Sequence, residues 1–349
     1  MVEEVVMCAQ AEATPESGSQ PSRMINSAMG PLSPDKLGQT LVHEHFAAAY
    51  AGWNTDDSIA PYDRESALQQ CLKVCEAAKA AGIQTVIDAT PNEMCRDPLL
   101  YRELSRQTGI NVIFATGLYT EAQGAPAYWK TRTVLGVDLS KMMSELFIKE
   151  LTEGVGTTGI RPGVIKVATG PEMTDYEKAV HKAAVIAQKA TGVPIITHTE
   201  GPTPGPAQAE FLLSQGANPK KVMIGHVNNS TDIDYQRSVL QKGVNIAFDR
   251  FGVAIFIGGA PDDVSVQNIA TLCREGYAGK IMFSHDNVRV WTARSFSDDV
   301  PRSIVQAVNK ITIDYISRSI LPALKAQGVT DEQIRTMMVE NPKNLFLGT

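Results

Sequence analysis

Five of the six histidines in this chain fall at or just after the ends of short apolar runs, and a lysine sits inside another such run. His43-Glu44-His45 closes the run 39–43, His198 ends 193–198, His226 ends 221–226, and His285-Asp286 follows 280–284. Lys166 lies in Gly163-Val164-Ile165-Lys166-Val167-Ala168, which reads as a buried strand. A buried lysine is costly unless it is paired or chemically altered. Neutral imidazoles and carboxylates bind divalent zinc, manganese, cobalt or iron. His43, His45, His198, His226 and Asp286 can hold two such ions if an anion bridges them. Lys166 has the place for that bridge but, as an ammonium, the wrong charge. A neutral amine adds carbon dioxide to give a carbamate, an anionic oxygen ligand, and burial favours the neutral amine.

Each residue has an ordinary explanation when taken alone. A histidine at a strand end is commonly a satisfied polar residue, an aspartate there a cap or turn residue, and a strand lysine can snorkel outward. The joint placement favours a metal site. His181 falls on a predicted helix face and reads as structural or solvated. Side chains two apart on a strand share a face, so His43 and His45 point together. By the same parity Glu44 faces outward, and His285 points away from Asp286 in a structural role.

The elements that must position these groups alternate. Eight runs rich in Val and Ile (39–43, 83–89, 111–116, 164–168, 193–198, 221–226, 244–249 and 280–284) read as covered parallel strands. Helices are predicted over 64–81, capped by Asp63 and closed by Gly82, and over 139–153, 175–191, 206–215, 232–242 and 265–275. A long amphipathic helix is expected over 301–327 and a terminal one over 331–340. Eight strands with intervening helices predict an α/β fold, a (β/α)8 TIM barrel, with a binuclear metal site at its C-terminal mouth. An open doubly wound sheet is the alternative, disfavoured by the lack of a Gly-rich fingerprint after the first strand.

Composition limits the partners. The 349 residues carry a formal charge of −6, which gives no reason to expect nucleic acid or an anionic membrane. No apolar stretch is long enough to span a bilayer. Five cysteines without a CxxC pair suggest a reducing compartment, and we expect a cytoplasmic protein. Residues 1–25 are expected to be a disordered tail, with 26–349 a single hydrolase domain. A homodimer is expected.

The set formed by His43-Glu44-His45, Gly163-Val164-Ile165-Lys166-Val167-Ala168, Pro194-Ile195-Ile196-Thr197-His198-Thr199, Ile224-Gly225-His226 and Ser284-His285-Asp286 resembles the phosphotriesterase family of the amidohydrolase superfamily. The resemblance spans about residues 30–347 and includes Ala115-Thr116-Gly117-Leu118-Tyr119, Asp249-Arg250-Phe251-Gly252 and Glu340-Asn341-Pro342. It implies that His43, His45 and Asp286 hold the more buried ion and His198 and His226 the more exposed one, bridged by N6-carboxylated Lys166. Zinc is the first expectation, with cobalt, manganese or iron as alternatives. A metal-bridging hydroxide would attack a C=O or P=O group while Asp286 takes the proton.

The motif Asp249-Arg250-Phe251-Gly252, and Tyr119 where phosphotriesterases proper look more like a tryptophan, resemble the lactonase branch. There Tyr119 would sit beside the metals and Arg250 would orient loops at the mouth. The expected substrate is therefore a small lactone, with promiscuous phosphotriester hydrolysis; a dedicated organophosphate triester hydrolase is the alternative. The segment 287–294 reads as a short basic loop carrying Arg289, Trp291 and Arg294, which departs from the apolar loop of lactonases and counts against long acyl chains. A binding module without activity, or an isomerase or decarboxylase on the same scaffold, fits less well with a full ligand set that includes Lys166.

Overall fold

Short Val- and Ile-rich runs, each flanked by turn residues or a capped helix, pair as parallel strands in the computed structural model, which describes residues 24–294 and 301–349. A hairpin comes first, β1 (Ile25–Ser27) against β2 (Gly30–Leu32). The sheet then comprises β3 (Thr40–Ala48), β4 (Thr85–Asp88), β5 (Asn111–Gly117), β6 (Val164–Thr169), β7 (Ile195–Thr199), β8 (Val222–Ile224), β9 (Asn245–Phe248) and β10 (Ile281–Phe283). A further strand, β11 (Val288–Trp291), lies beyond β3. From β3 to β10 the spatial order follows the chain order. A doubly wound sheet reverses its order at a switch point, so that alternative does not hold. Asp286 N–H donates to the His43 carbonyl at 3.0 Å, and β11 pairs in parallel with β3. The chain leaving β10 is thus hydrogen-bonded to the first strand, and the nine-stranded sheet curls back on itself.

Helices cover the outside: α1 (Arg64–Ala80), α2 (Pro98–Thr108), α3 (Pro126–Lys130), α4 (Leu139–Glu153), α5 (Asp175–Thr191), α6 (Gly205–Ser214), α7 (Ile233–Leu240) and α8 (Asp262–Arg274). Asp63, Asp97, Asp138 and Asp232 cap α1, α2, α4 and α7 through backbone N–H groups, and Thr174 with Glu177 forms a capping box on α5. Successive strand residues divide between two apolar clusters. Val86, Val112, Phe114, Ile165, Val167 and Ile195 pack with the helices. Ile87, Ile113, Ala115, Val164, Ile196, Met223, Ala247 and Met282 meet one another inside the curl. Ile25, Leu32, Leu345 and Phe346 join this inner cluster, so the β1–β2 hairpin and the C-terminal helix close the end opposite the strand C-termini.

Four expectations need correction. The long helix over 301–327 is interrupted: α9 (Arg302–Val308) ends, a π-helical turn forms at Ile316–Ile320, and α10 (Leu321–Ala326) follows. The terminal helix likewise runs as α11 (Asp331–Arg335), a π-turn at Thr336–Glu340, and α12 (Asn341–Leu347), beyond its expected end. Each π-turn ends two residues before a proline, Pro322 or Pro342, whose missing N–H disrupts the i to i−4 ladder. The supposed loop after the eighth strand contains β11. The expected N-terminal tail lies outside the described residues up to position 23, while Ile25, assigned to it, is paired in β1. No helix among the described residues is long and apolar enough to cross a membrane.

Phe147 of α4 is fully buried in the cluster between the helices and the sheet. Phe147→Ala should lower unfolding free energy by about 3–5 kcal/mol in a urea titration while leaving turnover per folded molecule near wild type.

Candidate metal centre

Every polar residue expected at the site is brought to one end of the curled sheet, and a local irregularity in β3 makes this possible. The register of β3 against β4 shifts between Leu41 and Glu44. Such a bulge inserts an extra residue and re-aims the side chains that follow. Val42 belongs to the inner cluster, and His43 and His45 also reach the interior, while Glu44 turns to the opposite face. His226 and Asp286 both adopt left-handed backbone conformations, with φ of 59° and 53°. That region is unfavourable for side-chain-bearing residues and is held only by surrounding contacts.

Each of the four imidazoles has one nitrogen fixed from outside and one directed inward. Asp249 takes both His43 Nδ1, at 2.7 Å, and His226 Nδ1, at 2.9 Å, and accepts the His226 backbone N–H. His45 Nδ1 lies 2.7 Å from Thr90 Oγ1, and His198 Nε2 lies 2.8 Å from Glu200 Oε2. On the inner side, His43 Nε2 is 2.6 Å from Lys166 Nζ, and His45 Nε2 is 3.1 Å from Asp286 Oδ1. His226 Nε2 is 2.8 Å from His198 Nδ1 and 3.6 Å from Asp286 Oδ2. An outer partner that accepts an N–H leaves the lone pair on the inner nitrogen, which is the form a metal needs. His43, His45 and Asp286 make one group able to hold an ion, and His43, His226 and Asp249 a second. Asp249 already spends its oxygens on two imidazoles, so its geometry is that of a bracket for them.

Burial sets the charge states. It lowers His198 and, reinforced by Lys166, His43; it lowers His198 to about 4 and takes His226 well below its ordinary value. Lys166, fully enclosed, falls to about 8 for the same reason. Burial alone would raise Asp286, but the adjacent His226 and Arg250 outweigh it and hold the carboxyl well below the usual range. Asp249 is likewise held down, by His226 and His43 against the effect of burial. Near neutral pH His43, His198 and His226 are therefore neutral and Asp249 and Asp286 ionised, the protonation state ligation requires.

Two further expected residues lie on this cluster. Tyr119 Oη is 3.2 Å from His198 Nδ1. Arg250 is buried, donating from Nε to Asp286 Oδ2 at 2.8 Å and from Nη1 to Asn229 Oδ1 at 3.0 Å. It meets the ligand set directly rather than only the loops at the mouth. His181 is fully buried, with Nδ1 on the Glu177 carbonyl and Nε2 beside Thr169 and Gln208, so it is structural and not solvated. Arg289, expected in a basic loop, points away from the interior and pairs with Glu44 at 2.7 Å. Trp291 stacks near Tyr50 with ring centroids 5.9 Å apart. Asp249, Thr90 and Glu200 were not singled out from the sequence as partners of the histidines. Asp249 ends an apolar run as the histidines do, and that signal could have found it; Glu200 shares a strand face with His198.

The fold and this cluster bring two groups able to hold a metal ion, and an enclosed lysine, to the C-terminal ends of a parallel sheet. The chain belongs to the phosphotriesterase family, whose profile matches residues 23–346, and it is a hydrolase. It is 31% identical over 319 residues to an aryldialkylphosphatase of Saccharolobus solfataricus, covering 89% of this chain and 95% of that protein. An organophosphorus hydrolase from Deinococcus radiodurans superposes with a TM-score of 0.89 at 41% identity, covering 95% of this chain and all of the other. A second structure, from the molecular engineering of organophosphate hydrolysis activity out of a weak promiscuous lactonase template, gives a TM-score of 0.88 at 41% identity over 92% of this chain and 99% of that one.

Behind Tyr119, Glu93 accepts the Tyr119 N–H at 2.7 Å through Oε1, while Oε2 is shut from solvent without a partner among the described residues. Burial raises its carboxyl to about 7. A carboxyl whose folded pKa exceeds its unfolded value binds more protons in the folded state. Its stabilising contribution is complete below the ordinary value of 4.5 and is lost as pH rises through about 7. Glu93→Gln should match wild type at pH 4 and be more stable at pH 8, by about 3 kcal/mol at most, in paired denaturant titrations.

Proposed function

We propose that this chain hydrolyses small lactones, with weaker hydrolysis of organophosphate triesters, at a two-metal site in the mouth of a closed (β/α)8 barrel formed by residues 26–349. In this reading His43, His45 and Asp286 hold one divalent ion, zinc in the first instance, His198 and His226 hold the other, and N6-carboxylated Lys166 bridges them. The donor set fits: imidazoles with inward nitrogens, an ionised Asp286, and an enclosed lysine whose ammonium is destabilised by burial. Bound ions would supply Lewis acidity and a water of lowered pKa.

The chain's own groups then divide the work. Asp286, oriented by Arg250 Nε, accepts the proton of the attacking water and can return it to the leaving oxygen. The Tyr119 hydroxyl, beside His198, is placed to donate to charge developing on the substrate oxygen. A proton for the leaving oxygen, held by Asp286 with the Tyr119 hydroxyl nearby, is the feature that carries the choice of substrate. A lactone expels a basic alkoxide that needs a proton, whereas an aryl phosphotriester expels a phenolate that does not. Proton donors at the site therefore favour the lactone. Tyr50, Trp53 and Trp291 line a cavity of about 260 Å³ near the mouth, a size that suits a compact apolar substituent rather than a long acyl chain.

The lactonase-template relative supports this ranking, and the aryldialkylphosphatase supports the alternative of a dedicated triester hydrolase. Cys71, Cys75, Cys95 and Cys273 are free, in keeping with a cytoplasmic protein. Tyr128, Val134 and Leu135 expose apolar surface on the segment after β5, which suits the expected homodimer; sedimentation of a monomer at micromolar concentration would remove that assignment.

A panel of γ- and δ-lactones should give kcat/KM above that for paraoxon, and Tyr119→Trp should shift the ratio towards the triester. No lactone turnover beside fast paraoxon hydrolysis would reverse the ranking. Lys166→Ala should lose activity and recover part of it with added short carboxylates, and Lys166→Glu should be better tolerated. Metal analysis of wild type should return about two ions per chain. Lys166→Met with full metal content and unchanged turnover would remove the bridging role.

A further inference from the structure

We propose that Glu44 is a positioning residue, a buried carboxylate that clamps the turn at 284–289 and so holds Asp286 in the geometry the hydrolytic site needs. This rests on the functional reading above. Glu44 lies between His43 and His45 but on the other face of β3, and it is 1% exposed. Its Oε1 accepts from Ser284 Oγ at 2.8 Å, from the His285 backbone N–H at 2.8 Å, and from His285 Nδ1 at 2.6 Å. Its Oε2 accepts from Arg289 Nη2 at 2.7 Å. Ser284 Oγ in turn accepts the His43 N–H at 3.0 Å. One carboxylate therefore ties the residue pair before Asp286 and the arginine after it to the strand that carries two of the imidazoles.

The turn needs such a clamp. Asp286 has a φ of 53°, a conformation that costs an L-residue on the order of 1 kcal/mol. Its side chain must point inward while His285 points out, between the end of β10 at Phe283 and the start of β11 at Val288. The opposite side of the turn is held by the C-terminal segment. Asn287 Nδ2 and Arg289 Nη1 both donate to the Ile311 carbonyl at 3.0 Å, and His285 Nε2 accepts the Ile316 N–H at 3.4 Å. A buried ion pair is seldom a better source of stability than apolar side chains of similar size. A carboxylate that gathers four donors from one strained turn is better explained by the geometry it imposes. The outer partners of metal ligands typically change metal affinity or activity by about 10- to 100-fold when lost.

The test is a cycle of Glu44→Gln, Asp286→Asn and the double variant. Each is measured for kcat, KM, thermal midpoint, and the rate at which a chromogenic chelator strips zinc. Wild-type zinc content and lactone turnover, measured first, test the functional reading alone. For the inference, Glu44→Gln should lower kcat by about 10- to 100-fold with KM nearly unchanged and should speed zinc loss. In the Asp286→Asn background the same substitution should add little to either loss, because its effect passes through Asp286. Losses that multiply in the double variant, or a folded Glu44→Gln with wild-type kcat and zinc retention, would overturn the proposal. Should Glu44→Gln not fold, Arg289→Met releases the clamp from one side only. It should show a smaller kcat loss with the same dependence on Asp286, and an unaltered kcat would count against the clamp.

Discussion

The Asp249 carboxylate, shared by two imidazoles in a place without solvent, is the contact on which the rest of the centre depends. Its oxygens hold His43 from β3 and His226 from the end of β8, and it also receives the His226 backbone N–H. Two strands that are not neighbours in the sheet are thereby connected through the interior. An unpaired carboxylate in that position would be strongly unfavourable. With both imidazoles in place it is satisfied, and it leaves Nε2 of each ring directed at Lys166, His198 and Asp286. The left-handed backbone of His226 follows from the same contact, since the N–H and Nδ1 of one residue must reach one oxygen.

The dry layer beneath explains why these charges stay where they are. Ile113, Ile196, Met223 and Met282 fill the interior below the polar cluster, and the hairpin and α12 close the far end. This apolar layer covers the polar cluster from below, and burial acts on the enclosed groups above it. That single influence lowers His43, His198, His226 and Lys166 together, which favours neutral donors over cations. Arg250 supplies the fixed positive charge that keeps Asp286 ionised in the same environment.

Much of this was legible because strand parity and residue type carry it. Histidines at the ends of Val- and Ile-rich runs announced both the parallel sheet and the end at which chemistry gathers. Parity also placed Glu44 and His285 on the side away from the site, where they meet each other. What escaped depends on distance in sequence or on backbone detail. Nothing local marks Thr90 as the partner of His45, because the pairing arises only when β3 and β4 lie side by side. The bulge that turns Val42, His43 and His45 inward has no glycine to signal it. β11 resembled a loop because its alternation is Val288, Arg289, Val290, Trp291, with an arginine whose partner, Glu44, is 245 residues away. The apolar periodicity over 301–327 was real, but Pro322 and the π-turn before it divide one predicted helix into separate pieces.

The tripeptide His43-Glu44-His45 joins these threads. Its two imidazoles enter the interior, one toward Asp249 and Lys166 and the other toward Thr90 and Asp286. Its carboxylate faces outward to the chain that delivers Asp286. A strand has two faces with a period of two, so three consecutive residues are the shortest segment that can place ligands on one side and an anchor on the other. Any displacement of β3 moves both imidazoles and, through Glu44 and Ser284, the turn that bears Asp286. The three groups are thereby referred to one strand through short hydrogen bonds rather than through the surrounding helices and loops. Tyr50, Trp53 and Trp291 line the mouth outside this set, whereas Tyr119 meets it at His198.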